Sequence, residues 1–287
     1  MKKLFLLIIG LSMVLSLTGC DIFKKDTMED ISIVTTAYPI EFVARRLYGE
    51  HSLITSIYPD EINIDTYQLN EKQLAEFSKN GLFIYAGVGD DKEIARKLLN
   101  MNDKLLIIDG SYGMSPNYVE EVWLNPANML MISQNIKNGL LEYITNSYLR
   151  KDIQIEYDKI QIELSELDAD FKLTCENAVN KTIITSNNAL KFLEKYGLTV
   201  ISIEDENTDK KVNDVTNLIN SGSVKYIFTL ENTEDNDIVK NLISNTKVKQ
   251  ITIRKIDNIT EKERNSKDDY FKLMKDNLEL LKREMYN

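Results

Sequence analysis

One histidine, His51, and two cysteines, Cys20 and Cys175, are the only imidazole and thiol groups in the 287-residue chain. That scarcity removes most nucleophilic and soft-metal chemistry. A site of four cysteines, or of paired cysteines and histidines, cannot be assembled. No G-x-S-x-G elbow, H-E-x-x-H helix or glycine-rich phosphate loop occurs, and no histidine stands ready to activate a nucleophile. Paired carboxylates could in principle do acid–base work, but the chain is not read as an enzyme. The cysteine with a clear chemical context is Cys20. It closes the segment LSLTGC over residues 15–20, which resembles a lipobox, in which the thiol accepts a diacylglyceryl group and the new N-terminus a fatty acid such as palmitate.

The residues before Cys20 fit that use. Lys2 and Lys3 form a basic start, and Leu4 to Leu17 is an almost unbroken apolar run. The run is shorter than the roughly 20 apolar residues of a spanning helix, and small residues follow it at once, as in a signal peptide. Residues 1–19 are therefore expected to be a removable signal peptide. Residues 20–30 then form the lipidated cysteine and a polar tether, with the body on the extracytoplasmic face of the cell membrane. Roughly 270 residues remain, enough for two lobes. The chain carries a net charge of −10, which becomes −12 once Lys2 and Lys3 are gone. Acidity of that size argues against nucleic acid and against a polybasic membrane face, leaving the lipid as the only membrane contact. Cationic ligands are compatible with it.

The elements that must position any site alternate. Residues 31–36 are β-branched and alternating, a strand signal, and Pro39 opens a helix whose apolar face is Ile40, Phe42, Val43 and Leu47. Strands follow over residues 52–58, 81–86 and 105–108, with helices over 71–78 and 93–99 between them. Residues 126–143 read as a helix. Residues 148–173 read as a longer one, because Ile153, Tyr157, Ile160, Leu164, Leu167 and Phe171 recur at spacings of four and three. Three heptads inside an α/β chain suit a connector packed on its own protein better than a coiled-coil dimer, so a monomer is expected. Strands over 181–185, 198–203, 224–230 and 248–256 then alternate with helices over 188–196, 212–219 and 237–245, and a closing helix covers 268–285. The fold class is α/β: two pseudo-symmetric lobes with mainly parallel sheets, joined by one long helix, with a ligand cleft between them. The expected divisions are an N-terminal lobe over 31–146, the connector over 147–178 and a C-terminal lobe over 179–287.

Several of these segments, in this order, resemble the solute-binding lipoproteins of ABC transporters that deliver zinc or manganese, a family that also includes adhesin lipoproteins. They are TTAYP at 35–39, residues 59–67, VWLNP at 122–126, TSNNALKFLEKYGL at 185–198, YIFTLE at 226–231 and DYFKLMKDNL at 269–278. The resemblance covers nearly the whole chain after the signal peptide. It implies capture of a divalent cation between the lobes and presentation to an ABC permease in the membrane.

Residue by residue, the resemblance puts the first metal ligand on Asp65, the second on Glu121, the third on Asn187 and the fourth on Asp257. The family has histidine at the first two positions and histidine or glutamate at the third. Only Asp257 matches. Two readings follow. In one, Asp65, Glu121, Asn187 and Asp257 form an all-oxygen site, which suits Mn²⁺, Mg²⁺ or Ca²⁺ better than Zn²⁺. Three carboxylates so close would otherwise repel and raise each other's pKa. In the other, the site has decayed and the protein is a surface interaction or adhesion lipoprotein that binds no metal. The sole imidazole, His51, falls on the surface in that alignment. Trp123 is read as packing at a loop–helix junction, Cys175 as a small buried side chain, and Glu231 as a solvated or site-supporting carboxylate. The acidic stretches at 204–206 and 234–237 read as surface.

Overall fold

A computed structural model describes residues 26–114, 122–204 and 208–287. The signal peptide, Cys20 and Glu121 lie outside the described residues. Two four-stranded sheets organise the rest, and every strand pairing in them is parallel. The first contains β1 (Ser32–Thr35), β2 (Leu53–Ser56), β3 (Leu82–Tyr85) and β4 (Leu106–Asp109) in the order β2-β1-β3-β4. The second contains β5 (Thr182–Thr185), β6 (Thr199–Ser202), β7 (Tyr226–Leu230) and β8 (Lys249–Ile253) in the order β6-β5-β7-β8. The same order in both lobes is the pseudo-symmetry expected from the sequence. Central strands of covered parallel sheets are buried on both faces. That is why β3, LFIY, is buried throughout, while the edge strand β2, LITS, keeps one buried residue.

Helices α1 (Tyr38–Tyr48), α2 (Glu71–Phe77) and α3 (Asp91–Met101) cross between the first four strands. Helix α4 (Pro126–Tyr143) leads into α5 (Ser147–Glu176), whose 30 residues span about 45 Å. The heptad stripe is buried as its spacing requires: Ile153, Tyr157, Ile160, Leu164, Leu167 and Phe171 all face inward. Helix α5 packs on α1 and α4 on one side of the molecule and on the closing helix α9 (Tyr270–Met285) on the other. In the second lobe α6 (Asp209–Asn220) and α7 (Asp237–Asn245) make the crossovers.

Three segments differ from the sequence expectation. Residues read as a helix over 188–196 form a 3₁₀ helix, Lys191–Tyr196, stopped by Gly197 at φ 88°. A short helix, α8 (Glu261–Ser266), was not anticipated. None of its residues is buried, so it has no apolar period to read. A capping box between Thr260 and Glu263 starts it instead.

The polar stretch 26–30 is also not a free tether. Met28 is buried, and Asp26 receives four hydrogen bonds: from the Met28 amide at 2.9 Å, the Thr145 amide and hydroxyl at 2.8 Å each, and the Asn146 amide at 2.7 Å. This one carboxylate ties the start of the body to the α4–α5 junction. Burial opposes its charge, but the hydrogen bonds outweigh burial and hold the carboxyl below the ordinary aspartate value. Its stabilising contribution is therefore present above the unfolded pKa of about 3.9 and is lost as pH falls through the folded value. Asp26→Ala should lower stability by about 1–3 kcal/mol at pH 7. The gap from the native protein should narrow in urea unfolding repeated towards pH 2.

Candidate functional site

In each sheet the strand order reverses between its two central strands, and the crevice outside their carboxyl ends is where open parallel sheets place ligands. Two loops meet there. One follows β2 and carries Asp65. The other follows β8 and carries Lys255, Ile256 and Asp257. Lys255 is the centre of the meeting. Its Nζ lies 2.5 Å from Asp65 Oδ2 and 3.3 Å from Asp257 Oδ2. The side chains of Lys255 and Asp257 are 2% and 3% exposed, whereas that of Asp65 is 47% exposed. An ammonium from the second lobe thus sits between a carboxylate of its own loop and one from the other lobe.

The backbone around it is held from several directions. Trp123 Nε1 donates to the Lys255 carbonyl at 2.8 Å, and the Tyr38 amide donates to the Asp257 carbonyl at 2.8 Å. Asn258 Nδ2 donates to the carbonyls of Pro59 and Ile62, each at 2.9 Å. Between Lys255 and Asp257, Ile256 has φ 60° and is fully buried. A β-branched residue with positive φ is strained, and such strain persists only where surrounding contacts over-determine it. Those contacts come from the opposite lobe.

Burial raises the Asp257 carboxyl, and the neighbouring Lys255 only partly offsets that; Asp65 and Glu231 add to the rise. Burial alone would lower the Lys255 ammonium, but Asp257 and Asp65 outweigh it and keep the group above the ordinary lysine value. Lys255 is therefore charged at neutral pH. Asp257 Oδ2, although ion-paired, makes no hydrogen bond of good geometry.

The four residues assigned by resemblance separate in the structure. Asp65 and Asp257 come together, through Lys255. Asn187 is buried at the end of β5, but its Oδ1 accepts from the Ala189 amide at 3.0 Å and its Nδ2 has no hydrogen-bond partner. As placed, its amide oxygen is taken by its own turn. Glu121 is outside the described residues. Among the described residues, no three His, Cys, Asp or Glu side chains gather as a metal site.

Lys255 itself was missed, because residues 248–256 read simply as a strand. The signal was present: two adjacent basic residues, Arg254 and Lys255, lie between Ile253 and Ile256, where a buried strand end should stay apolar. Arg254 pairs with Glu231 at 2.6 Å and with Glu263 at 2.9 Å, so Glu231 is a partnered carboxylate and not a solvated one. Trp123 packs as read, at 2% exposure, and adds its indole hydrogen bond. His51 pairs with Asp152 of α5 at 3.3 Å and leans on Tyr48, outside the cleft loops. Cys175 is buried, and burial pushes its thiol up to about 11. A cavity of about 450 Å³ adjoins the triad, lined among others by Tyr58, Asp65, Tyr67, Asp90, Trp123 and Lys255.

A second ion cluster clamps the lobes. Arg264 of α8 reaches Asp60 through Nε and Nη2 at 2.7 Å each, and Glu41 of α1 through Nη1 and Nη2 at 3.0 and 3.1 Å. Glu41 is 2% exposed and also accepts from Arg45. Two parallel α/β lobes that meet at a cleft and are spanned by a long helix make the two-lobed architecture in which a ligand can be held between sheet ends. The sequence comparison agrees. Residues 33–284 match the family model ZnuA, zinc-uptake complex component A, periplasmic, and the chain belongs to that family. The family is a metal-binding transport component and not an enzyme. The zinc-binding protein AdcA of Streptococcus pyogenes is 26% identical over 243 residues, covering 79% of this chain and 45% of that protein. The zinc-binding lipoprotein AdcA of Streptococcus pneumoniae is 22% identical over 311 residues, covering 98% and 61%. The chain thus spans about half the length of the curated relatives it matches. In fold, it superposes on the Zn(II)-bound ZnuA-like domain of Streptococcus pneumoniae AdcA with a TM-score of 0.72 at 19% identity, covering 90% of this chain and all of that one.

Arg264→Ala should lower stability by about 2 kcal/mol, since it removes charge-assisted hydrogen bonds to a buried carboxylate that retains only Arg45. Urea unfolding measures this, and no change in midpoint would mean that the lobes do not depend on the clamp.

Proposed function

We propose that this protein is a lipid-anchored, extracytoplasmic receptor of an ABC transporter, taking a divalent metal ion of the zinc or manganese class into the inter-lobe cleft for a membrane permease. The observation that carries the reading is the match of residues 33–284 to a zinc-uptake family, together with two carboxylates, Asp65 and Asp257, brought from opposite lobes to within reach of one cation. Two carboxylates so placed need a cation, and a divalent ion matches their charge. The relatives named above are zinc-binding, which favours zinc as cargo. The oxygen donors that this chain offers, Asp65 and Asp257 with Glu121 and Asn187 as further candidates, favour a harder ion such as Mn²⁺. Asn187 would have to turn its amide to contribute. Anchoring rests on the LSLTGC segment and on the lipoprotein relative. No helix among the described residues is long and apolar enough to cross a membrane.

One observation favours the second reading, a metal-free surface interaction or adhesion lipoprotein: Lys255 already supplies a positive charge to both carboxylates. Thermal unfolding of the full-length protein in detergent separates the two. After chelation, Zn²⁺, Mn²⁺, Ca²⁺ and Mg²⁺ are titrated singly. An ion that binds only the folded state adds about 2.7 kcal/mol at a hundredfold excess over its dissociation constant. A saturable shift for one ion, reduced in Asp257→Ala, is the expected result, and no shift up to millimolar ion would leave the metal-free reading. Anchoring is checked separately: a labelled fatty acid such as palmitate should be incorporated by the native protein and not by Cys20→Ser.

A further inference from the structure

The cleft holds a cation of the protein's own making. The Lys255 ammonium is almost fully buried, contacts both Asp65 and Asp257, and lies on a loop whose backbone is fixed by Trp123, Tyr38 and Asn258. The strained φ of Ile256 sets Lys255 and Asp257 side by side. We propose that Lys255 is a built-in surrogate for the metal: it holds the two lobes closed without an ion and must be displaced before a divalent cation can bind to Asp65 and Asp257. This rests on the reading of the cleft as a cation site.

Three observations carry the inference. The first is position: the ammonium bridges the carboxylate of one lobe to that of the other, which is the task of an ion bound between lobes. The second is charge. With the lysine in place the trio carries one net negative charge; without it, two carboxylates remain, and a divalent ion neutralises both. An ammonium and a divalent ion cannot share so small a space, because each repels the other. The third is room. Lys255 also lines the adjoining cavity of about 450 Å³, together with Asp90 and Tyr67. Its flexible stem could carry the ammonium aside into that cavity, which has a further carboxylate to receive it. Substitution of this lysine therefore has an unusual predicted sign. It should damage the ion-free protein and improve ion binding.

The test uses Lys255→Ala and Lys255→Met in the full-length protein in detergent, with Met retaining the length of the apolar stem in case Ala fails to fold. Each is unfolded thermally with chelator and then with Zn²⁺ or Mn²⁺ titrated in, beside the native protein. The expected result is a lower unfolding temperature than native in chelator. Added ion should restore it, with an apparent dissociation constant at least tenfold below that of the native protein. The triple variant Lys255→Met, Asp65→Asn, Asp257→Asn should lose the restoration by ion. Ion binding that is unchanged or weaker in both lysine variants overturns the inference, even if the native protein binds metal. The converse is distinguishable. A native protein without any ion response, beside a lysine variant that gains one, sinks the proposed cargo and keeps the surrogate. No response in any variant overturns both.

Discussion

An ammonium taken out of water loses several kcal/mol of hydration, and only opposite charge at close range can return it. Lys255 meets that condition because Asp65 and Asp257 flank it, one from each lobe. The constraint works in both directions. If the lobes separated, Asp257 would keep a partner but Lys255 would lose the carboxylate at 2.5 Å, and the strained loop would lose the hydrogen bonds from Trp123 and Tyr38. Closure of the cleft, the positive φ at Ile256 and the burial of Lys255 therefore stand or fall together.

The same economy recurs along one stretch of chain. Between residues 254 and 264 there are three cations that each bridge two carboxylates: Arg254 serves Glu231 and Glu263, Lys255 serves Asp65 and Asp257, and Arg264 serves Asp60 and Glu41. Two of these cations reach carboxylates of the first lobe. A chain of net charge −10 would otherwise bring acidic faces together at the cleft. The basic residues of this stretch are what let an acidic protein close on itself. Their pairs range from partly to almost fully buried, so salt should weaken them less than exposed pairs.

The two sheets and the connector were legible in the sequence because burial on a parallel sheet or along one helix face leaves a periodic record. Short apolar runs such as TIIT and LFIY, set between helical patterns, read as covered strands, and the spacing from Ile153 to Phe171 reads as one face of a long helix. Helix α8 was not legible, since it buries nothing and is begun by a cap. The docking of Asp26 was invisible for a related reason: its four donors lie near residue 28 and near residue 145, and no local pattern announces a partner so far along the chain. Of the site, resemblance located Asp65 and Asp257 by alignment, and the structure brings them together. It could not supply Lys255, because an alignment to metal ligands asks only what replaced each ligand. The compensating charge arose two residues away from one of them.

The choice of side chain at each point separates a fastening from a removable group. Where the lobes must be held in one geometry the chain uses arginine: the Arg264 guanidinium grips Asp60 through two nitrogens, the fixed fork of a planar cation. At the centre of the cleft it uses lysine, a compact charge on a flexible four-carbon stem that imposes no bidentate geometry on its partners. Arginine in that place would form a more rigid pair and could not withdraw without breaking several directed hydrogen bonds at once. Lysine can leave by rotation of its stem, and the cavity beside it is already open. The wall of that cavity carries Asp90, an exposed carboxylate that would offer a displaced ammonium a new partner. A cation that is buried, paired across the lobes and carried on a flexible stem is what distinguishes this cleft from a rigid, bidentate salt bridge.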